Sequence, residues 1–152
     1  MIDIMATQKP VIVSPKGFQA CGIHAGLKRK RKDLALLVCE RPASTAAVYT
    51  TNHFQAAPIQ VTKASLTESN GYLRAVLINS GNANACTGEQ GLKDAYAMRD
   101  VTATQLGVKP EEVAIASTGV IGQPLPMIPL INGIGHLQPT TAWEDGQSFA
   151  EA

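Results

Sequence analysis

Residues 114–122 have the sequence Ala-Ile-Ala-Ser-Thr-Gly-Val-Ile-Gly, in which a short apolar stretch gives way to two hydroxyl residues and a glycine. The pattern predicts a buried strand that ends in a turn at Ser117, Thr118 and Gly119. Such a strand end can direct a side-chain hydroxyl and a backbone N–H at one point, as stabilisation of a developing oxyanion requires. Tight packing at a strand end is the alternative interpretation, because Ser, Thr and Gly are common in turns.

A second polar segment follows another apolar stretch and precedes a predicted helix. Residues 79–88 are Asn-Ser-Gly-Asn-Ala-Asn-Ala-Cys-Thr-Gly. They suit a helix N-cap with Asx turns, and a helix start preceded by Gly and Asn also suits an anion or a carboxylate. Two such segments at strand ends favour a preorganised site, although the chain contains no convincing nucleophile for it.

The composition is typical of one globular domain and disfavours several classes of protein. The chain has 152 residues, a formal net charge of +1 and 5% aromatic residues, which disfavours nucleic-acid binding through a basic surface or through stacking. We find no signal-peptide pattern and no apolar run near the ~20 residues that span a bilayer. Cys21, Cys39 and Cys86 fit neither a disulfide framework nor a zinc site. These features predict a soluble cytoplasmic protein.

Cys86 is a candidate nucleophile that the sequence disfavours. It precedes a predicted helix, whose dipole can stabilise a thiolate. A histidine partner would be required, and His24, His53 and His136 lie outside any context typical of a cysteine hydrolase. The three histidines also lack metal-ligand spacing. We therefore expect Cys86 not to be catalytic, and we expect Cys21 and Cys39 to lie in the core.

The segment 28–32 is Lys-Arg-Lys-Arg-Lys, in a predicted hairpin loop. Five adjacent positive charges can attract an anionic partner or a cofactor phosphate, but such runs are more often solvated loop tips. Both interpretations stay open.

The pattern of apolar and turn residues predicts an α/β fold. The stretch 34–38 is apolar throughout, which predicts that both of its faces are covered, and short connections predict antiparallel neighbours. Capping-box patterns at Thr87 and Thr141, Pro126 at a helix start and Gly107 at a helix end mark the helices. The predicted strands span 18–27, 34–39, 45–51, 59–62, 72–78 and 113–116, and the predicted helices span about 87–107, 126–137 and 141–152.

We expect two features at the ends of the sequence. Residues 1–9 have no recognisable pattern and predict a disordered tail. The last predicted helix reaches Ala152 without a C-cap, which indicates a chain cut short rather than a natural domain end. Residues 10–152 are therefore interpreted as part of one α/β domain.

Three segments of the chain resemble the ornithine acetyltransferase family, the bifunctional glutamate N-acetyltransferases of arginine biosynthesis. They are residues 17–20 with 25–28, residues 79–88, and residues 117–122 with Leu125, Pro126 and Met127. They occur in the family's order and cover nearly the whole sequence, and the second and third are highly specific.

The resemblance implies a fold of stacked β-sheets between helical layers, the architecture of acyltransferases with an N-terminal threonine. Members are made as one precursor that cleaves itself autocatalytically before an internal threonine, which gives an α chain and a β chain. The present chain resembles the α chain, so the β chain would complete the fold, and members are usually dimers of αβ units, that is α2β2 heterotetramers.

The chemistry implied is acetyl transfer from N-acetylornithine to glutamate. The N-terminal threonine of the β chain is the nucleophile, and its own α-amino group can act as the base. The family's oxyanion donors correspond to the Thr118 hydroxyl and the Gly119 backbone N–H. No metal or bound organic cofactor is implied, although some members also accept acetyl-CoA as a substrate.

The sequence departs from the family pattern in one respect. The Ala-Thr cleavage junction and the Thr-Thr-Asp-Thr substrate-contacting stretch are absent, because both would follow Ala152. The fragment alone is therefore expected to be inactive. Two other functions remain open: a self-cleaving amidohydrolase or aminopeptidase of similar architecture, and a catalytically silent binding protein on the same scaffold.

Overall fold

The computed structural model describes residues 11–152, so the predicted tail at 1–9 lies outside the described residues. Within residues 11–152, eight main elements follow one another, with a short 3₁₀ turn at Pro110–Glu112 before the last strand. They are β1 (Phe18–Ile23), β2 (Leu34–Ser44), α1 (Ala57–Glu68), β3 (Tyr72–Asn82), α2 (Gly88–Leu106), β4 (Val113–Val120), α3 (Met127–His136) and α4 (Trp143–Glu151). No helix among these residues is both long and apolar enough to cross a membrane.

The four strands form one mixed sheet in the order β1-β2-β3-β4. β1 and β2 are antiparallel, as are β2 and β3, whereas β3 and β4 are parallel. Parallel strands require a crossover, and α2 supplies it. Because β4 is at the edge, one of its sides has no neighbouring strand in the described part of the chain.

One face of the sheet is covered by α1, α2 and α3 and contains the main core. The alternation of β-strand side chains places Leu34, Leu36 and Leu77 on this face, and all three are fully buried. Helix residues pack against them: Ala95, Ala103, Leu130 and Ile134 are buried, as is Leu137 directly after α3, and Leu92, Tyr96, Leu106 and Ile131 are partly buried against the same cluster.

The opposite face is covered over β1 and the start of β2 by α4. A Cβ atom built on Gly22 would lie 2.0 Å from the carbonyl oxygen of Ser148, so the helix backbone packs directly on the strand. Ala35 is buried and Leu37 half-buried on this face, which agrees in large part with the predicted two-sided burial of 34–38. Over β3 and β4 the same face has the half-buried side chains of Val76, Ile78 and Ala116.

Two predicted strands are wrong. Residues 45–51 have no regular secondary structure and lie outside the sheet, and β2 itself continues to Ser44. Residues 59–62 lie in α1, where Pro58 occupies the first turn and Val61 is buried. The proline is preorganised for a helix start, and burial of one apolar side outweighs the strand propensity of the β-branched residues.

The helix ends agree with the sequence in part. Gly107 ends α2 in the left-handed conformation, with φ 64°, as predicted. The two capping boxes are wrong: neither α2 nor α4 has a side-chain N-cap hydrogen bond, and α4 begins after Ala142. The Thr87 hydroxyl donates instead to Asn84 Oδ1, and the Gln90 amide donates to Asp94.

Candidate functional site

The parallel pairing of β3 and β4 brings the two polar segments side by side. Asn79 pairs with Ser117, Ser80 with Thr118, Gly81 with Gly119 and Asn82 with Val120. The predicted turn at Ser117, Thr118 and Gly119 is therefore wrong, because β4 continues through these residues. The small residues that indicated a turn instead allow the backbones of β3 and β4 to approach each other closely.

Gly119 is required by its surroundings. Its φ is 132°, a conformation that residues with a Cβ rarely adopt. A Cβ built there would lie 2.3 Å from the carbonyl carbon of Gly81 and 2.5 Å from its oxygen. Gly81 also has a positive φ, of 97°. The two glycines therefore permit a close backbone contact that no other residue at 119 could keep.

The hydrogen-bond pattern of β4 directs the Gly119 N–H towards the open edge of the sheet. The Val120 carbonyl accepts from the Ala83 N–H at 2.9 Å, so the even-numbered residues of β4 bond to β3. The odd-numbered residues point away from β3: the Ile115 N–H and carbonyl both bond to the Thr62 hydroxyl at 3.0 Å. By the same alternation Gly119 points its N–H away from β3.

Thr118 is exposed and lies on the face that α4 partly covers. Its strand partner Ser80 lies on the same face, and the Ser80 hydroxyl donates to the carbonyl oxygen of Ala152. The Lys28 ammonium donates to the same oxygen at 3.1 Å. Residue 152 therefore lies beside the strand end that contains Thr118 and Gly119.

Two buried asparagine side chains hold the backbone of this region. Asn79 is fully buried, its amide nitrogen donates to the Asn82 carbonyl at 2.8 Å, and its Oδ1 accepts from the Ser117 hydroxyl at 2.5 Å. The Asn82 amide in turn donates to the Pro124 carbonyl at 2.9 Å. Asn79 thus links the ends of β3 and β4, which makes the two strand ends one unit.

The start of α2 is also fixed by an asparagine. Asn84 is 1% exposed, and its amide nitrogen donates to the Gly91 carbonyl at 2.7 Å. A Cβ at Gly91 would lie 2.4 Å from Asn84 Oδ1, so this contact requires a glycine in the first turns of the helix. The Asn-rich segment therefore combines a strand end, a buried polar network and a helix start.

Asp33 is a structural residue of this region that the sequence analysis did not identify. It is fully buried, and its carboxylate accepts from the backbone N–H groups of Ala25 at 2.6 Å, Gly26 at 3.2 Å and Lys28 at 2.7 Å. Its own carbonyl accepts from the Ser80 N–H at 2.9 Å. The sequence signal that could have identified Asp33 is an acidic residue directly before a fully apolar strand. A carboxylate buried at such a position needs hydrogen-bond donors around it.

The cysteines occupy three different environments. Cys21 lies in the core, where burial raises the pKa of its thiol to about 11. Cys39 is half-buried, so its predicted place in the core is only partly right. Cys86 is exposed, has a φ of 59° and lines a cavity of about 350 Å³ together with His53. Of the three histidines considered as partners for Cys86, His53 is the one that lines the same cavity.

Metal ligands do not cluster in the described residues. Within 11–152, no three His, Cys, Asp or Glu side chains come close enough to hold a metal ion together. The expectation that no metal or cofactor is needed stays a prediction.

Comparison with known proteins relates this arrangement to one family. The family model described as "ArgJ family" matches residues 19–152. The chain is 57% identical over 99% of its length to the Arginine biosynthesis bifunctional protein ArgJ of Bacillus cereus strain ATCC 10987, and 53% identical over 99% to that of Geobacillus kaustophilus. It spans 37% and 36% of these relatives, so it covers just over a third of their length.

Two solved structures have the same fold. A crystal structure of ArgJ from Bacillus halodurans has a TM-score of 0.91 and 53% identity, with 93% of this chain and 74% of that chain covered. An ornithine acetyltransferase from Mycobacterium tuberculosis, solved in complex with ornithine, has a TM-score of 0.87 and 39% identity, with 93% and 77% covered. The mixed sheet flanked by helices is thus the fold of these proteins, and the chain belongs to the ArgJ family.

Proposed function

We propose that the full-length protein transfers an acetyl group from N-acetylornithine to glutamate, through an acetyl-threonine intermediate on a second chain cut from the same precursor. The observation that supports this most directly is the end of β4. There an exposed Thr118 hydroxyl adjoins a Gly119 whose N–H points away from β3 and whose backbone position excludes any side chain. Two adjacent donors at a rigid edge suit a negatively charged tetrahedral intermediate.

The reaction has two steps at this site. The threonine hydroxyl of the second chain attacks the acetyl carbonyl, its α-amino group takes the proton, and ornithine leaves with that proton on its amine. The amino group of glutamate then attacks the threonine ester, which gives N-acetylglutamate and restores the hydroxyl. In both steps Thr118 and Gly119 donate hydrogen bonds to the oxyanion. This scheme uses no metal or organic cofactor, and acetyl-CoA is a possible second acetyl donor.

Two observations support a partner chain. The chain spans 37% of the Bacillus cereus relative but 74% of the solved chain from Bacillus halodurans, so the solved chain is about half as long as the full relative. Over β3 and β4 the sheet face has half-buried apolar side chains, at Val76, Ile78 and Ala116, which suit a covering layer. We propose that the second chain supplies this layer, in a cytoplasmic α2β2 assembly.

The mass of the full-length gene product tests this proposal. We expect two fragments from the natural protein and one unbroken chain when the threonine at the predicted junction is replaced by alanine. The fragments should then convert N-acetylornithine and glutamate into ornithine and N-acetylglutamate. A single uncleaved chain from both proteins would contradict the mechanism, and acetate release without glutamate would indicate a hydrolase.

A further inference from the structure

The outer edge of β4, on the side away from β3, is held by one side chain of α1. The Thr62 hydroxyl donates to the Ile115 carbonyl at 3.0 Å and accepts from the Ile115 N–H at 3.0 Å. These are the two backbone groups with which Ile115 would bond to a further strand. Because a hydroxyl is both a donor and an acceptor, Thr62 takes the place of a neighbouring strand at this position.

Thr62 differs in this respect from the other threonine of α1. The Thr67 hydroxyl is exposed and donates at 3.0 Å to the Lys63 carbonyl of its own helix, which is a common partner of a helical threonine. The half-buried Thr62 hydroxyl bonds to the neighbouring strand instead. Its hydrogen bonds therefore fix α1 and β4 relative to each other.

α1 runs antiparallel to β4 and covers only the first half of it. The helix contacts the 3₁₀ turn at Pro110–Glu112, directly before β4, and a short turn then leads from the helix into β3, which is parallel to β4. The start of α1 is therefore directed towards the end of β4. Burial follows the same division, because residues 113–115 are buried and residues 118–120 are exposed.

The helix ends before it reaches the proposed oxyanion donors. From Thr62 back to Ala57, the first residue of α1, a helix extends about 7.5 Å. From Ile115 to Gly119 a strand extends about 13 Å. The Gly119 N–H, which points away from β3, is therefore left open to a ligand, while Thr62 anchors the same edge of β4 a few residues earlier.

We propose that Thr62 is a positioning residue for acetyl transfer, which fixes the outer edge of β4 at Ile115 and thereby the direction of the Gly119 N–H. This inference rests on the proposed function. Oxyanion donors stabilise the intermediate when their positions are set before the reaction. A strand that is hydrogen-bonded on both sides opens and twists less readily than a strand bonded on one side. Thr62 supplies the second side for β4, close to the residue that carries the donor.

The variant Thr62→Val tests this proposal in the full-length protein, because it removes the hydroxyl and keeps the shape of the side chain. We expect kcat for acetyl transfer from N-acetylornithine to fall about tenfold with KM unchanged, since a displaced donor affects the transition state and not substrate binding. Thr62→Ser keeps the hydroxyl and should restore most of the rate. Thr67→Val is the matched control, and its kcat should stay within about twofold of the parent.

Amide hydrogen exchange measures the edge of β4 without requiring catalysis. Mass spectrometry of a peptide that spans residues 113–120 follows the exchange in the parent and in both valine variants. We expect Thr62→Val to accelerate it about tenfold, because the Ile115 N–H loses its partner and the strand opens more readily. Thr67→Val should leave the exchange of this peptide unchanged.

The outcomes separate the inference from the function on which it rests. A parental kcat in Thr62→Val would overturn the inference even if its urea midpoint falls, because the hydroxyl would then serve stability alone. A higher KM with unchanged kcat would also overturn it, as would unchanged exchange of residues 113–120. Absence of acetyl transfer in the parent counts against the proposed function, and hydrogen exchange still decides whether Thr62 fixes this edge of β4.

Discussion

The two ends of the β3–β4 pair differ in chemistry although they belong to the same strands. Where the pair begins, the side chains facing the helices are apolar and buried: Ala75, Leu77, Val113 and Ile115. Where it ends, the paired residues other than Val120 are Asn, Ser, Thr and Gly, and β4 becomes exposed from Thr118 onwards. The helices cover the first end and leave the second open.

Under the proposed function, this difference assigns stability and chemistry to separate halves of one pair of strands. Burial of apolar surface stabilises the first half, at about 25 cal/mol per Å². The second half contributes hydrogen-bond donors whose positions are fixed by backbone contacts and by Asn79. Substitutions in the two halves should therefore affect different measurements.

The largest expected effect on stability is at the apolar end. Leu77→Ala removes a fully buried side chain from the core. We expect the free energy of unfolding of the full-length protein to fall by about 2–5 kcal/mol, because transfer and cavity terms add. Urea denaturation measures this. The control Ile128→Ala changes a side chain that is 79% exposed and should stay within about 0.5 kcal/mol.

The largest expected effect on rate is at the polar end. Thr118→Ala in the full-length protein should lower kcat by about 10²–10³, because one oxyanion donor is lost. Its urea midpoint should not change, since Thr118 is exposed. Thr118→Ser keeps the hydroxyl and should retain most of the activity. A loss below tenfold in a normally folded Thr118→Ala protein would contradict the assigned role.

A substitution at Asn79 should affect both measurements, because this residue lies between the two halves. Asn79→Ala leaves the Ser117 hydroxyl and the Asn82 carbonyl without their buried partner. We expect a loss of about 1–3 kcal/mol in stability together with a lower kcat. Asn132→Ala, at an exposed helix position, is the matched control. Normal stability and kcat in Asn79→Ala would show that the two strand ends are not coupled through this side chain.

The smallest expected effect concerns thiol reactivity, which should follow the same division. At pH 8 the Cys21 thiol stays protonated, because its pKa of about 11 lies well above that pH, and it is buried. Cys86 is exposed at the polar end. Iodoacetamide should therefore label Cys86 in the native protein and Cys21 only after unfolding, as peptide mapping by mass spectrometry would detect. Native labelling of Cys21 would mean that the core around β1 opens readily.

Thr118 and Gly119 could be predicted as oxyanion donors from the sequence because hydroxyl residues and a glycine after an apolar strand form a local pattern, and their role stays a prediction. The contact of Gly119 with Gly81 could not be predicted, since the pairing of β3 with β4 depends on the crossover through α2 and not on nearby residues. The strand predicted at 59–62 was wrong for a similar reason. Its β-branched residues favour a strand locally, but Pro58 and the burial of Val61 place them in α1.

Asp33 shows a different limit of sequence analysis. It follows five basic residues and carried no prediction of its own, whereas the structure makes it the fully buried acceptor of three backbone N–H groups. Burial of a charge depends on donors that the fold brings together, and composition alone does not contain that information.

The close contact between Gly81 and Gly119 has a consequence for the order of folding. The hairpin of β1 and β2 joins residues near in sequence, whereas β4 pairs with β3 across a long connection that contains the whole of α2. Distant contacts of this kind form late, because the chain between them must first lose its freedom. In the proposed enzyme the oxyanion donors therefore come together only in chains that have completed this crossover. Self-cleavage would then occur only in precursors that have already folded.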